Sequence, residues 1–123
     1  MKICTGFLKS MKILPPPKGS TTTRPTGAKI REALVNILSP WIKGSNIVDF
    51  FAGTGAIGLE LISNGANHCT FVEENPKVVL GLKKNITQAQ TLLKNSEHQS
   101  SIKILCKNSK NSKSKRKNSV DVA

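Results

Sequence analysis

Apolar and polar positions along the 123-residue chain fall into segments with distinct periods. After residue 26, Ile30, Ala33, Leu34, Ile37 and Leu38 recur at i, i+3, i+4, i+7 and i+8, the spacing of one helix face. Thr26 stands where a side chain can cap such a helix, and Ser39-Pro40 predicts its end, because proline disfavours the helical conformation in the residue before it. "NIVDFFAG", residues 46–53, reads as a buried strand running into a glycine turn. "IGLELISNG" follows as a helix of about two turns, with Gly65 placed to adopt the left-handed conformation that ends it. "CTFVEE", residues 69–74, is the next strand, and Asn75-Pro76 supply a cap and a first helical position. Val78, Val79, Leu82, Ile86 and Leu93 then keep a helical stripe, although Gly81 within it costs about 1 kcal/mol relative to alanine. "IKILC", residues 102–106, is a third strand. Strand, helix, strand, helix, strand predicts an α/β fold with a parallel sheet and crossover helices.

The two ends break this pattern. Residues 2–14 hold two short apolar pieces around Gly6 and Lys9-Ser10 and predict a small hairpin. "PPPKGSTTTRP", residues 15–25, continues neither strand nor helix, because its prolines fix the backbone and remove donors. The expected organisation is a basic hairpin and linker over 1–25, an α/β unit over 26–106, a low-complexity basic segment over 107–119 and the start of a further strand over 120–123.

Charge sharpens the contrast between centre and ends. Of a formal net charge of +12, residues 1–31 contribute seven basic and no acidic side chains, and residues 32–106 hold six of each sign. "KNSKNSKSKRKNS", residues 107–119, adds six basic residues, and its composition favours disorder. Basic ends around a neutral centre suit a phosphate-rich partner, since clustered Lys and Arg gain affinity by releasing counterions; the bland alternative is a solvated basic surface. No apolar run is long enough to cross a bilayer, so a soluble, cytoplasmic protein is expected, with no membrane partner. Cys4, Cys69 and Cys106 are scattered, with only His68 and His98 as companions, which suggests reduced thiols and no metal site.

Candidate chemistry lies at the first strand's end. Gly53-Thr54-Gly55-Ala56-Ile57-Gly58 is a G-x-G-x-x-G, and Glu73 follows Gly53 by 20 positions (73 − 53) at the end of the next strand. Ligands of open parallel sheets bind beyond the carboxyl ends of the strands. There the glycines let a ligand approach the backbone, and a carboxylate can accept hydrogen bonds from both ribose hydroxyls. The competing reading is a tight turn and a surface acid. Asp49, four residues before the first glycine, chooses among nucleotides: a carboxylate repels a pyrophosphate held on backbone N–H groups and attracts an ammonium. S-adenosylmethionine has an ammonium, an adenosine for Glu73 and no phosphate. No G-K-[ST] follows the glycines, so the segment is not a P-loop.

"TRPTGAKIREALVNIL", "VDFFAGTGAIGLELISNGA" and "TFVEENPK", with the basic hairpin in front, resemble the bacterial 16S rRNA (guanine-N2) methyltransferases of the ribosomal small-subunit methyltransferase D type. The resemblance runs from residue 1 to about residue 106. It implies a Rossmann-like, seven-stranded class I methyltransferase fold, S-adenosyl-L-methionine as cofactor, and methylation of the exocyclic amine of a guanine in ribosomal RNA or an assembling small subunit. Carried over by position, Asp49, Ala52, Gly53, Thr54, Gly55, Ala56 and Gly58 resemble the family's cofactor loop, and Glu73 its ribose-binding acid. Arg24, Thr26 and Arg31, with Lys2, Lys9 and Lys12 of the hairpin, are the implied RNA-facing residues; helix capping and a solvated helix face are the alternative for the first three. Asn36, on the same helix, has a plain surface reading.

The departures begin after Cys106. Where the family places an Asp near the adenine, this sequence has Lys107-Asn108. It also contains no Asn or Asp followed by Pro-Pro and an aromatic, the element in which acceptors take the amine hydrogens and a ring stacks on the extruded base. "SVDVA" resembles the beginning of the strand that would deliver it, and three parallel strands leave an unpaired edge, so the chain reads as the cofactor-binding front half of a larger enzyme. Three functional expectations follow: an rRNA methyltransferase, a non-catalytic RNA-binding remnant, or a nicotinamide-dependent oxidoreductase, against which Asp49 argues. A monomer is expected.

Overall fold

The computed structural model describes residues 1–15 and 27–106. Its elements, in chain order, are α1 (Ala28–Ile42), β1 (Asn46–Asp49), α2 (Ala56–Ser63), β2 (His68–Val72), α3 (Pro76–Lys94) and β3 (Ser101–Leu105). All three strands are parallel, in the order β1-β2-β3. This is the α/β arrangement expected from the strand and helix periods, with β1 and β2 shorter than their expected runs and β3 shifted one residue toward the amino end. Both outer strands, β1 as well as β3, are edges among the described residues.

Register explains which face carries the core. Ile47, Cys69 and Ile102 lie opposite one another across the sheet, and two positions on Asp49, Phe71 and Ile104 do the same. These side chains share one face, because alternate strand residues point the same way. Ile47, Cys69 and Phe71 are buried there, with Ile102 and Ile104 packed against them. α2 lies so close over β2 that a Cβ on Gly58 would stand 2.3 Å from the Phe71 ring, which is why this position has no side chain. On the other face the His68 ring bonds the hydroxyls of Ser101 (2.6 Å) and Thr70 (2.9 Å).

The helix ends follow local chemistry. Gly65, at φ +114°, turns the chain out of α2 after Asn64. The Asn75 side chain accepts from the Lys77 N–H at 2.9 Å, and Pro76 opens α3, as the sequence predicts. α1 departs from expectation in three ways. It begins at Ala28 with Gly27 as its cap residue and no side-chain cap, while Thr26 lies outside the described residues. It runs through Pro40 to Ile42, because a proline near the carboxyl end removes only one N–H from the last turn and Ile42 gains burial by continuing. Its buried side is also rotated from the predicted stripe. Arg31 and Ile42 are buried and Val35 and Leu38 pack on the core, whereas Ile30 and Ile37 are 59% and 66% exposed.

The amino-terminal segment is held by one antiparallel bridge, Lys2 to Lys12, not by a regular hairpin ladder. Positive φ at Gly6 and Ser10 puckers the chain between the two sides. This buries Ile3, Leu8, Met11 and Ile13 in the same core as the sheet residues. A Cβ on Gly6, at φ +90°, would stand 2.1 Å from the Ser63 carbonyl oxygen, so the arm is pressed directly onto α2. The expected linker at 15–25, apart from Pro15, lies outside the described residues, as do the basic segment at 107–119 and the expected further strand at 120–123.

Candidate cofactor loop

β1 ends at Asp49, and the chain then turns through Gly53 (φ +54°) and Gly55 (φ +88°) into α2. The loop is internally bonded: the Gly55 N–H donates to the Ala52 carbonyl at 2.7 Å, and the Thr54 hydroxyl accepts from the Ala56 N–H at 3.3 Å. Ala52, Gly53, Thr54, Gly55, Ala56 and Gly58 are all buried. Gly55 combines left-handed backbone with a close neighbour, Leu82, whose Cδ1 would lie 2.7 Å from an added Cβ. It is therefore fixed as glycine by both conformation and packing.

Glu73, one residue past β2, reaches the same loop. Its Oε1 accepts from the Gly53 N–H at 2.9 Å and its Oε2 from the Asn75 N–H at 3.1 Å. A carboxylate accepts about four hydrogen bonds, so each oxygen keeps a lone pair for a further donor. The structure thus brings the glycines, Asp49 and Glu73 together at the carboxyl ends of two adjacent strands, where a parallel sheet holds its ligand.

Asp49 is the unsatisfied member. Its Oδ1 accepts from the Phe51 N–H at 3.2 Å, but its Oδ2 is buried with no hydrogen-bond partner. Burial pushes its carboxyl above the ordinary aspartate range; the N–H groups of Phe51 and Gly58 act in the opposite sense, and the negative charge of Glu73 adds to the rise. Beside it, burial and then the Asp49 charge push the Cys69 thiol up, so Cys69 is an inert core thiol. A buried carboxylate oxygen without a donor is costly. A ligand carrying an N–H or ammonium group at this mouth would relieve it, and phosphate would not.

The expected RNA-facing residues divide. Lys2, Lys9 and Lys12 are exposed along the arm. Arg24 and Thr26 lie outside the described residues. Arg31 is corrected: it is 1% exposed, with its Nε 3.1 Å from Glu60 Oε1 and its Nη2 donating to the Lys2 carbonyl. It is a buried structural cation, because α1 turns it toward α2 and not outward. Glu60 in turn accepts from the Cys4 N–H and the Thr5 N–H, at 3.0 and 3.1 Å to Oε2. Ser63 adds a bond from the Leu8 N–H at 2.8 Å.

Three residues of this framework escaped the sequence reading. Glu60 was signalled by its place inside the apolar run "IGLELIS", where a charge needs a partner. Asn85 was signalled by falling three residues after Leu82 on the buried stripe of α3. Phe51, 90% exposed beside the loop, gave no such sign, because it continues the apolar strand pattern.

A parallel α/β sheet with a glycine loop after the first strand, an acid after the second and a carboxylate between them is a Rossmann-like α/β arrangement of the class I methyltransferase kind. The chain belongs to the family described as conserved hypothetical protein 95, whose model matches residues 1–122. Among curated proteins it is 39% identical over 97 residues to ribosomal RNA small subunit methyltransferase D of Haemophilus influenzae, covering 79% of this chain and 48% of that protein. It is 42% identical over 86 residues to the protein of the same name from Escherichia coli, covering 70% of this chain and 42% of that one. Among solved structures, one assigned as the methyltransferase yhhF of Escherichia coli superposes with a TM-score of 0.68 at 30% identity, over 88% of this chain and 52% of that chain. The chain spans about half the length of the curated relatives it matches. Among the described residues, no helix is long and apolar enough to cross a membrane.

Proposed function

We propose that this chain binds S-adenosyl-L-methionine and ribosomal RNA as part of a methyltransferase acting on the exocyclic N2 of a guanine in 16S rRNA, in the cytoplasm. The observation that carries the cofactor reading is the buried, unpartnered Oδ2 of Asp49 at the mouth of the glycine loop. Asp49 would take the ammonium group, Glu73 the ribose hydroxyls, and the backbone of Gly53 to Ala56 the nearby edge of the ligand. The cofactor supplies an electrophilic methyl group on a sulfonium. The residues of this chain hold and orient it, and a fixed approach geometry provides much of the rate in a transfer of this kind. Asp49 also argues against a dinucleotide, whose pyrophosphate would meet its carboxylate at the loop.

Support for RNA comes from the relatives' names and from Lys2, Lys9 and Lys12, three exposed cations on one short arm. The sequence holds no N/D-P-P-Y/F, so the reading assigns this chain binding and orientation, and not the acceptor of the amine hydrogens. Thermal unfolding with S-adenosylhomocysteine and, separately, with NAD tests the cofactor assignment. The expected result is a raised midpoint with S-adenosylhomocysteine alone, abolished by Gly55→Asp or Glu73→Ala. An unchanged midpoint at saturating S-adenosylhomocysteine would sink it, and a rise with NAD alone would revive the oxidoreductase reading.

A further inference from the structure

Asn85 is fully buried on α3, and its amide is spent on the backbone of two distant segments. Its Oδ1 accepts from the Leu14 N–H at 2.8 Å, and its Nδ2 donates to the Leu14 carbonyl at 3.3 Å and to the Thr54 carbonyl at 2.9 Å. Leu14 closes the amino-terminal arm, and Thr54 is the middle residue of Gly53-Thr54-Gly55. An asparagine amide has two donor hydrogens and an oxygen with two lone pairs, so this side chain spends both donors and one acceptor site on the two partners. The bond to the Thr54 carbonyl is buried, and the two to Leu14 are partly so; breaking the buried one leaves a stranded carbonyl.

We propose that Asn85 is a positioning residue that locks the glycine loop to the arm, so that ligand in the loop and order in the arm reinforce each other. The inference rests on the reading of the loop as the S-adenosylmethionine site. Loop and arm share no backbone hydrogen bond of their own among the described residues. The Asn85 amide is the polar link between them, because no other side chain bonds both Leu14 and the 53–55 loop in the described structure. A ligand that holds the Thr54 peptide in place therefore holds the amide, and the amide holds Leu14. By linkage, an arm held down by RNA would favour the loop conformation that binds cofactor, by the same factor.

The test is amide hydrogen exchange at Leu14 in the full chain, with and without saturating S-adenosylhomocysteine, beside calorimetric titration of wild type and Asn85→Ala. In wild type the ligand is expected to slow exchange at Leu14 at least tenfold, although Leu14 does not belong to the loop. In Asn85→Ala, shown folded by circular dichroism, the dissociation constant is expected to rise about tenfold and the slowing at Leu14 to disappear. A residue that served stability alone would change neither the ligand-dependent protection nor the affinity of the folded variant. Wild type that binds S-adenosylhomocysteine without slowing Leu14 overturns the lock and leaves the cofactor reading intact, and this result needs no variant to fold. So does a folded Asn85→Ala with wild-type affinity. Wild type that binds no S-adenosylhomocysteine overturns the cofactor reading itself, and the lock with it.

Discussion

Glu60 and Asp49 are both withdrawn from water, one on α2 and one at the end of the strand beneath it, yet their surroundings differ in kind. Glu60 has a guanidinium and two backbone N–H groups on its carboxylate, and its side chain and that of Arg31 are wholly buried. Asp49 has the Phe51 N–H on Oδ1 and no hydrogen-bond partner on the buried Oδ2, with Glu73 adding to its burden. A buried charge whose partners are all present belongs to the framework; here it clamps the arm, α1 and α2 together. A buried charge left incomplete costs stability in the free protein and persists where something else completes it. The two acids thus separate the part of the molecule that holds its shape from the part proposed to hold a ligand.

The sharpest way to break the comparison is to treat both acids alike. Glu60→Ala removes the carboxylate paired with the buried Arg31 guanidinium and the acceptor of the Cys4 and Thr5 N–H groups, so a loss of about 3–5 kcal/mol is expected in urea unfolding. That is a large share of the about 5–15 kcal/mol available to a domain of this size. A loss below 1 kcal/mol would mean that the arm is not clamped as described.

Gly58→Ala acts between the two regions, since α2 must lift from the Phe71 ring to admit a methyl group. About 1–3 kcal/mol of destabilisation is expected, together with a weaker response to S-adenosylhomocysteine, because the Gly58 N–H also faces Asp49. A variant as stable as wild type would show that the helix can shift without consequence.

Asp49→Asn should move the opposite way from Glu60→Ala, gaining about 1 kcal/mol at neutral pH in the free protein while weakening S-adenosylhomocysteine tenfold or more. The sign of its pH dependence follows from the raised pKa. The ionised carboxylate opposes folding, so the penalty is absent below the ordinary aspartate value of about 4 and grows as pH rises toward the raised one. Urea unfolding from about pH 3 to about pH 8 should therefore show the variant and wild type diverging upward from pH 4. Parallel profiles would contradict the burial penalty.

The smallest expected effect is a control away from both acids. A Cβ at Gly81 meets nothing, so Gly81→Ala should add about 0.5–1 kcal/mol by helix propensity and leave ligand binding unchanged.

The same contrast marks what the sequence made legible. That the glycines, Asp49 and Glu73 meet at the strand ends was readable because their spacing follows the strand order. The strand and helix order was readable from period alone. What escaped was the third dimension of α1: Ile30, Ala33 and Ile37 make as good a stripe as the true buried side, and the choice between them is made by a charge. Arg31 looked like a surface cation because its partner, Glu60, is 29 residues away. The arm's docking was hidden for the same reason, since Glu60, Ser63 and Asn85 bind its backbone, which no side-chain pattern reveals.

The most direct test of the central claim is the titration of the Asp49 carboxyl carbon by NMR, with and without saturating S-adenosylhomocysteine. The account predicts a midpoint above the ordinary aspartate range in the free protein and a fall below that range when the ligand's ammonium completes Oδ2. An Asp49 titration unmoved by ligand, in a sample where binding is established independently, would contradict it.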